Sequence, residues 1–112
     1  MTVLEAPGLD ELRARLLTAF DVERVAEVFK LLGDPTRVRL LDALTLGERC
    51  VSDLAGLVGM SESAISHQLR LLRAARLVRA RRTGRMAYYG LDDHHVIGLL
   101  HDTRKHVQEH PR

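Results

Sequence analysis

Residues 52–75, SDLAGLVGMSESAISHQLRLLRAA, decide the fold, because they contain two amphipathic helical patterns joined at a glycine. The first pattern ends at Val58, Gly59 permits a tight turn, and Ser61 suits the N-cap of the next helix. In the second pattern, apolar residues recur at helical spacing on one face and polar residues occupy the other face. Two short helices connected in this way predict a helix-turn-helix motif with its recognition helix at about residues 61–75.

The segment after this motif alternates apolar and polar side chains with a period of two. It contains LVRARR at residues 77–82 and MAYYGL at residues 86–91, separated by a turn around Thr83 and Gly84. The pattern predicts a β-hairpin, which we interpret as a wing at about residues 77–91. The predicted fold is mainly α with a small β-hairpin, a winged helix-turn-helix in the order α-α-α-α-α-β-β-α that forms a homodimer.

The other segments are predicted to complete one domain. Residues 1–8 are expected to form a flexible N-terminal arm, and residues 9–110 a single winged helix-turn-helix domain. A first helix is predicted over residues 9–20, Asp21 is predicted to cap a second helix, and a C-terminal helix is predicted at about residues 93–109. With 112 residues the chain is close to the lower size at which one domain buries enough apolar surface, and a dimer would bury more.

Positive charge is concentrated in the predicted recognition helix and wing. Between Glu62 and Asp92 the chain has no acidic residue and seven arginines, namely Arg70, Arg73, Arg76, Arg79, Arg81, Arg82 and Arg85. One guanidinium group can donate two hydrogen bonds to the oxygens of one phosphate. This run of arginines therefore predicts a polyanionic partner, double-stranded DNA. The arginines expected to contact DNA are Arg70, Arg81, Arg82 and Arg85, the last two from the tip of the wing.

The C-terminal helix carries a second set of candidate residues. Asp93, His95, His106 and Glu109 fall within one stripe of the helix surface. At a rise of about 1.5 Å per residue, the two histidines lie about 16 Å apart along the axis, whereas zinc binds imidazole nitrogens at about 2.0 Å. One helix therefore cannot assemble a metal site from both histidines.

A second copy of the helix would remove this limit. If the two helices run antiparallel across a two-fold axis, the Asp93 and His95 end of one meets the His106 and Glu109 end of the other. Symmetry then generates two sites, each with two imidazoles and two carboxylates, a set that suits tetrahedral Zn(II). His110 is an alternative ligand four residues after His106. The competing interpretation of this helix is a solvated surface that binds no metal.

Cysteine content and the N-terminal sequence restrict other functions. Cys50 is the only cysteine, so no intrachain disulfide can form. The N-terminus lacks the pattern of a signal peptide, and no apolar run is long enough to span a membrane. We expect a cytoplasmic protein with no membrane partner and no organic cofactor.

Four segments together resemble the ArsR/SmtB family of metal-sensing bacterial repressors. They are LLGDPTRVRLL at residues 31–41, CVSDLA at residues 50–55, SESAISHQLRLLR at residues 61–73 and GRMAYY at residues 84–89. The resemblance extends from about residue 21 to residue 109. It implies a homodimer that binds a palindromic operator without metal, blocks transcription, and is released when zinc binds between the C-terminal helices.

The resemblance also implies roles for individual residues. The set Asp93, His95, His106 and Glu109 is similar to the family's zinc site on the paired C-terminal helices. The part of the recognition helix that the family places in the major groove corresponds to Ser63, Ser66, His67 and Gln68. These hydroxyl, imidazole and amide groups do not by themselves define an operator sequence.

Departures from the family pattern limit the choice of metal. Some members have a thiolate site with two cysteines where this chain has Cys50 and Ser52, and others complete a site at Cys50 and Asp53 with N-terminal Cys or His, which are absent here. Cys50 is therefore interpreted as a small buried residue, with a vestigial ligand role beside Asp53 as the alternative. Metals that require sulfur, such as arsenic and cadmium, are disfavoured, while Co(II) or Ni(II) could recruit His110 or the amino terminus.

Two other functions compete with this interpretation. The first is a metal-independent winged-helix regulator, such as a redox or small-molecule sensor, in which the tail histidines are incidental. The second is a zinc hydrolase, since His and carboxylate ligands also make catalytic sites. The hydrolase is disfavoured because the chain has no His-Glu-x-x-His helix and because four protein ligands leave no open position on the metal.

Overall fold

The computed structural model describes residues 6–112 and contains six helices and three strands in that range. The elements are α1 (Leu9–Arg13), α2 (Ala19–Leu32), α3 (Pro35–Leu44), β1 (Arg49–Cys50), α4 (Val51–Val58), α5 (Glu62–Ala74), β2 (Val78–Thr83), β3 (Met86–Leu91) and α6 (His94–Glu109). They divide between two compact units, one ending at Lys30 and the other comprising residues 31–112. Most of the predicted arm at residues 1–8 lies outside the described residues. No helix in this range has the length and apolar character needed to cross a membrane.

The first unit corrects the prediction of one continuous helix over residues 9–20. Helix α1 ends at Arg13, and α2 begins at Ala19. The Thr18 hydroxyl accepts a hydrogen bond from the backbone N–H of Asp21 at 3.1 Å, so Thr18 rather than Asp21 caps α2. A hydroxyl that bonds to the nearby backbone competes with a continuing helix, and the spacing of apolar residues does not reveal this competition.

The predicted helix-turn-helix is formed by α4 and α5. Gly59 ends α4 in the left-handed region at φ 76°, where an L side chain would be strained. The Ser61 hydroxyl accepts a hydrogen bond from the Ala64 N–H at 3.1 Å and so caps α5. Helix α5 packs against α4 and β2, and its buried side chains are Ile65, Leu69 and Leu72. The opposite, polar face of α5 is therefore left outward.

The predicted hairpin is confirmed, and it carries a third strand that the sequence did not predict. Strands β2 and β3 pair in antiparallel register along residues 78–83 and 86–91, and Gly84 turns the chain at φ 61°. Strand β1 pairs with β3, placing Cys50 opposite Tyr88, so the strand order is β1-β3-β2. The predicted order α-α-α-α-α-β-β-α omits β1 because a strand of two residues is too short to produce a detectable alternation.

Replacing Leu54 by alanine should destabilise the fold by about 2–5 kcal/mol, because the side chain is 0% exposed and the change leaves a cavity in the core. Leu57 lies on the same helix but is 59% exposed, so Leu57→Ala is a matched control that should cost less than about 0.5 kcal/mol. Urea unfolding at one fixed protein concentration measures both changes. Equal losses of stability in the two variants would contradict the assignment of Leu54 to the core.

Candidate nucleic-acid interface and metal centre

Most polar residues predicted to face the major groove lie on the outward side of α5. Ser63, His67 and Arg70 are exposed, and Ser66 is half-buried. The caps and the buried apolar face of α5 fix which way this side points. The helix can therefore present hydroxyl, imidazole and guanidinium groups together.

Gln68 is the exception, because it is half-buried and already bonded. Its Oε1 accepts a hydrogen bond from Nε of Arg37 at 2.9 Å. Arg37 lies in the first turn of α3, so this hydrogen bond joins α3 to the recognition helix. One end of the Gln68 amide is therefore committed within the protein.

The predicted contacts at the wing tip are available to a partner. Arg82 and Arg85 are exposed, and neither side chain makes a hydrogen bond or an ion pair with any part of residues 6–112. They lie at the end of β2 and in the turn that follows it. Unpaired guanidinium groups at a hairpin tip are suited to phosphate oxygens.

Arg81 differs from these two because a carboxylate holds it. Glu48, which precedes β1, accepts a hydrogen bond from Arg81 Nε at 3.0 Å and one from Arg79 at 3.3 Å. Arg81 also donates to the Thr83 hydroxyl at 2.7 Å, and its guanidinium carbon lies 5.2 Å from the centre of the Tyr88 ring. Arg81 therefore offers less free positive charge than its place in the arginine run predicts.

The two arginines stabilise the charged form of Glu48. The hydrogen bond from Arg81, followed by the charge of Arg81 and the contacts of Arg79, holds the pKa of Glu48 below its ordinary value. Arg79 also donates to the carbonyl oxygens of Leu91 at 2.6 Å and Asp92 at 3.3 Å. Glu48 and Arg79 thus tie the loop before β1 to the wing and to the start of α6. We call Glu48, Arg79 and Arg81 the wing-base cluster.

Sequence reasoning missed both Glu48 and Arg37. For Glu48 one signal was available, because a glycine inside a strand indicates a close approach by another group. A Cβ atom at Gly90 would lie 3.0 Å from Cγ of Glu48. Arg37 is 31 residues from Gln68, and no local pattern relates the two.

The predicted metal ligands lie at the two ends of α6. At the N-terminal end, Oδ1 of Asp93 accepts hydrogen bonds from the N–H groups of His95 at 2.9 Å and Val96 at 3.2 Å, and so caps the helix. The hydrogen bond from Val96, with a further contribution from His95, lowers the pKa of Asp93. The Oδ2 atom makes no hydrogen bond within residues 6–112, so it is available to a cation.

The C-terminal end of α6 carries the other predicted ligands. His106, Glu109 and His110 are all exposed, and the rings of His106 and His110 lie 4.8 Å apart. In the part of the chain that the structure describes, no three His, Cys, Asp or Glu side chains come together as a metal site. The four predicted ligands thus form two separate pairs. Their imidazole and carboxylate donors fit zinc chemically, provided that a second chain supplies the other pair.

The secondary site considered at Cys50 and Asp53 has little support from burial. Cys50 is 7% exposed and belongs to the core, as the last residue of β1 and the N-cap of α4. Asp53 is exposed in the first turn of α4. The buried thiol agrees with a packing role, and a ligand role for this pair stays a prediction.

Comparison with known proteins identifies the family. Residues 34–80 match the family described as "Bacterial regulatory protein, arsR family". The transcriptional repressor SmtB homolog of Synechocystis sp. is 46% identical to this chain over 99 residues, which are 88% of this chain and 75% of that protein. The cadmium resistance transcriptional regulatory protein CadC homolog of Staphylococcus aureus is 43% identical over 86 residues, which are 76% of this chain and 71% of that protein.

A solved structure shows the same fold. The homodimeric winged helix-turn-helix DNA-binding domain of a possible ArsR-family transcriptional regulator from Mycobacterium bovis has a TM-score of 0.78 and 34% identity, and the match covers 84% of this chain and 87% of that one. The predicted winged helix-turn-helix fold is therefore confirmed. Because the relatives are transcriptional regulators, the zinc hydrolase is excluded. This chain belongs to the ArsR/SmtB family of bacterial, DNA-binding, winged helix-turn-helix transcriptional regulators.

Proposed function

We propose that this chain is a metal-responsive repressor that binds a palindromic operator as a metal-free homodimer and is released when Zn(II) binds between its C-terminal helices. The observation that carries the proposal is the division of Asp93, His95, His106 and Glu109 into two exposed pairs at opposite ends of α6. A four-ligand site then requires a second chain, which makes metal binding an event between subunits.

Exposed apolar side chains support a homodimer. In helix α6, Ile97, Leu99 and Val107 are 46%, 38% and 60% exposed. Within the unit that ends at Lys30, Leu9, Leu16 and Phe20 are each at least 67% exposed. Covering such surface with a second copy would stabilise the assembly by about 25 cal/mol for each Å² of apolar area removed from water.

Exposed cations and polar groups support a DNA partner. Arg70 on α5, together with Arg82 and Arg85 at the wing tip, would contact phosphates, while Ser63 and His67 would approach base edges. Phosphate contacts position a protein on DNA without selecting a sequence. A DNA partner in a bacterial cell also supports the cytoplasm as the place where this chain acts.

The donor set supports zinc as the effector. When bound, the ion would supply a positive centre that holds two imidazoles and two carboxylates from the two helices together. Nitrogen and oxygen donors also suit Co(II) and Ni(II), with His110 as a further donor. The single cysteine disfavours metals such as cadmium that require several thiolates.

Hydrogen bonds at the start of α6 provide a route from the predicted ligands to the wing. Asp93 follows strand β3 by two residues. Immediately before it, the Asp92 N–H donates to the Leu77 carbonyl at 3.1 Å, and Arg79 donates to the Leu91 carbonyl at 2.6 Å. A displacement of α6 would therefore be transmitted to the base of the wing. Release also requires that the operator-bound and free dimers differ in metal affinity.

The proposal predicts that zinc weakens operator binding by roughly 5- to 150-fold, the usual range of coupling between two sites. Duplexes selected from a randomised pool by the metal-free protein supply the operator, and fluorescence anisotropy measures affinity with and without Zn(II), Co(II) and Ni(II). Sequence-specific binding that no metal changes would contradict the proposal. That result would support the metal-independent regulator, a redox or small-molecule sensor.

Mixed dimers test whether each site spans two subunits. A His95→Ala subunit paired with a His106→Ala subunit carries both lesions in one composite site, so the other site remains intact. We expect two tight zinc ions per wild-type dimer, one in this mixed dimer and none in either mutant homodimer. Separately tagged subunits and zinc titration against a chromophoric chelator provide the measurement. A mixed dimer that binds no zinc would contradict the cross-subunit arrangement.

The wing-base cluster gives a prediction about charge. Replacing Glu48 by Gln should tighten binding to DNA of any sequence by about 3- to 10-fold, because Arg79 and Arg81 become free to displace counterions from the DNA. For the same reason, the slope of log K against log salt concentration should become steeper by about one to two. Anisotropy titrations at several salt concentrations measure both quantities.

Asp42→Asn is the matched control for this variant. It changes the net charge equally, at an exposed carboxylate that forms no ion pair within residues 6–112. Its affinity and salt slope should move much less than those of Glu48→Gln. Equal changes in both variants would show that only net charge matters, and weaker binding by Glu48→Gln would show that the carboxylate holds the wing in its binding position.

A further inference from the structure

We propose that Arg37 is a positioning residue that determines sequence specificity, because it fixes the Gln68 amide so that the recognition helix presents only N–H donors to the DNA at that position. This inference rests on the proposed DNA-binding role of α5. Beyond that role, it specifies the kind of base edge that Gln68 can recognise.

The orientation of the Gln68 amide follows from the chemistry of its partner. An arginine side chain carries N–H donors and no acceptor, so the Gln68 atom 2.9 Å from Arg37 Nε has to be the oxygen. Hydrogen bonds from a charged donor are stronger than those between neutral groups, which favours this orientation over the flipped amide. The Nε2 group, with its two hydrogens, is then the end of the amide left for other partners.

The Nε2 group is not fully buried, although Gln68 as a whole is half-buried. It makes no hydrogen bond within residues 6–112. In that range, Arg49 Nε is the one buried side-chain polar atom without a partner, so Gln68 Nε2 is not sealed inside the protein. A donor group at the edge of the recognition helix is therefore unoccupied and accessible.

Both side chains are attached to firmly held backbone. Arg37 lies in the first turn of α3, where its N–H donates to the Asp34 carboxylate cap at 3.1 Å. Leu40 and Leu41 anchor the same helix at 0% exposure, and Leu69, next to Gln68, is 1% exposed. The hydrogen bond therefore links two packed helices, and it does not depend on an ordered loop.

The fixed orientation restricts which bases Gln68 can read. A free glutamine amide recognises adenine in the major groove by using its oxygen and its nitrogen together, on N6 and N7. Because Arg37 holds the amide oxygen on the side of α3, the end of the amide that is turned away from α3 is Nε2, with two N–H donors for a base edge. Guanine offers two acceptors there, O6 and N7, and thymine offers O4, whereas cytosine presents a donor. Adenine also offers one acceptor, N7, beside its N6 donor. We therefore expect guanine to be preferred over the other three bases at the position that Gln68 contacts.

Arg37 could also contact a phosphate directly, and the test has to distinguish this contact from its effect on Gln68. Its terminal guanidinium nitrogens make no hydrogen bond within residues 6–112 and are not buried, so they can contact a phosphate. A phosphate contact would change affinity for all sequences alike, because phosphates carry no sequence information. The order of base preference, and not affinity, is therefore the informative measurement.

The experiment uses the 112-residue chain and three variants of it: Gln68→Met, Arg37→Met and Arg37→Lys. After selection of an operator from a randomised duplex pool, affinity is measured with each of the four bases at every position. Gln68→Met should abolish preference at one operator position and so identify it. Arg37→Met frees the Gln68 amide to flip. It should raise the affinity for a duplex with adenine at that position, relative to one with guanine, by about 5- to 20-fold. Arg37→Lys keeps a donor-only partner and should retain the wild-type order.

A second measurement needs no Arg37 variant and so does not depend on how well one folds. At the identified position, adenine is replaced by purine, which lacks the N6 amino group. The wild-type protein should bind both duplexes equally, because Arg37 holds the oxygen on the side of α3 and so directs it away from N6. A loss of affinity of about 5-fold or more on removing N6 would show that the oxygen reads the base, and it would overturn the proposal.

The remaining outcomes separate this inference from the proposed function. One contrary result is that Gln68→Met alters base preference at no position, and another is that Arg37→Met weakens binding to all four duplexes equally and keeps the order of preference. Either result contradicts the proposed role of Arg37 in specificity and leaves the repressor function intact. If the wild-type protein selects no sequence from the pool, the operator-binding function itself fails and this inference fails with it.

Discussion

Burial of one face of α5 is the constraint on which the rest of the interface depends. Leu69 and Leu72 are 1% and 0% exposed, so the helix cannot rotate about its axis without exposing apolar surface to water. This rotation angle places His67 outward and leaves Gln68 at the edge of the helix, where Arg37 can reach it. Helical periodicity thus converts apolar packing on one side into the arrangement of polar groups on the other.

The distribution of charge depends on a single carboxylate outside the arginine run. Glu48 pairs with Arg79 and Arg81, which are 31 and 33 residues later in the chain. Among the described residues, the arginines of this run that form no ion pair are Arg70, Arg73 and Arg76, together with Arg82 and Arg85 at the wing tip. An ion pair at a partly exposed site contributes little to the stability of the fold. The wing-base cluster therefore matters mainly because it lowers the positive electrostatic potential that the wing presents to a phosphate backbone.

Helix α6 separates its predicted ligands and connects them to the wing at the same time. The rise of an α-helix holds His95 and His106 about 16 Å apart along the axis, and a rigid rod cannot fold back to bring them together. The first predicted ligand, Asp93, caps the helix with one carboxylate oxygen, and the other oxygen makes no hydrogen bond within residues 6–112. Any cation held by that oxygen would therefore act directly on the N-cap residue of α6, two residues after strand β3.

The sequence by itself determined the helix-turn-helix, the hairpin and the division of the predicted ligands into two pairs, because caps, glycine turns and periodicity are local properties of the chain. It did not determine the boundary between α1 and α2, where the apolar spacing continues past the Thr18 hydroxyl that interrupts the helix. Only the tertiary structure decided the two-residue strand β1, the pairing of Glu48 with the wing and the hydrogen bond between Arg37 and Gln68. These contacts join residues more than 30 positions apart, and their geometry follows from how the buried faces of α3, α4 and α5 pack, which no local pattern encodes.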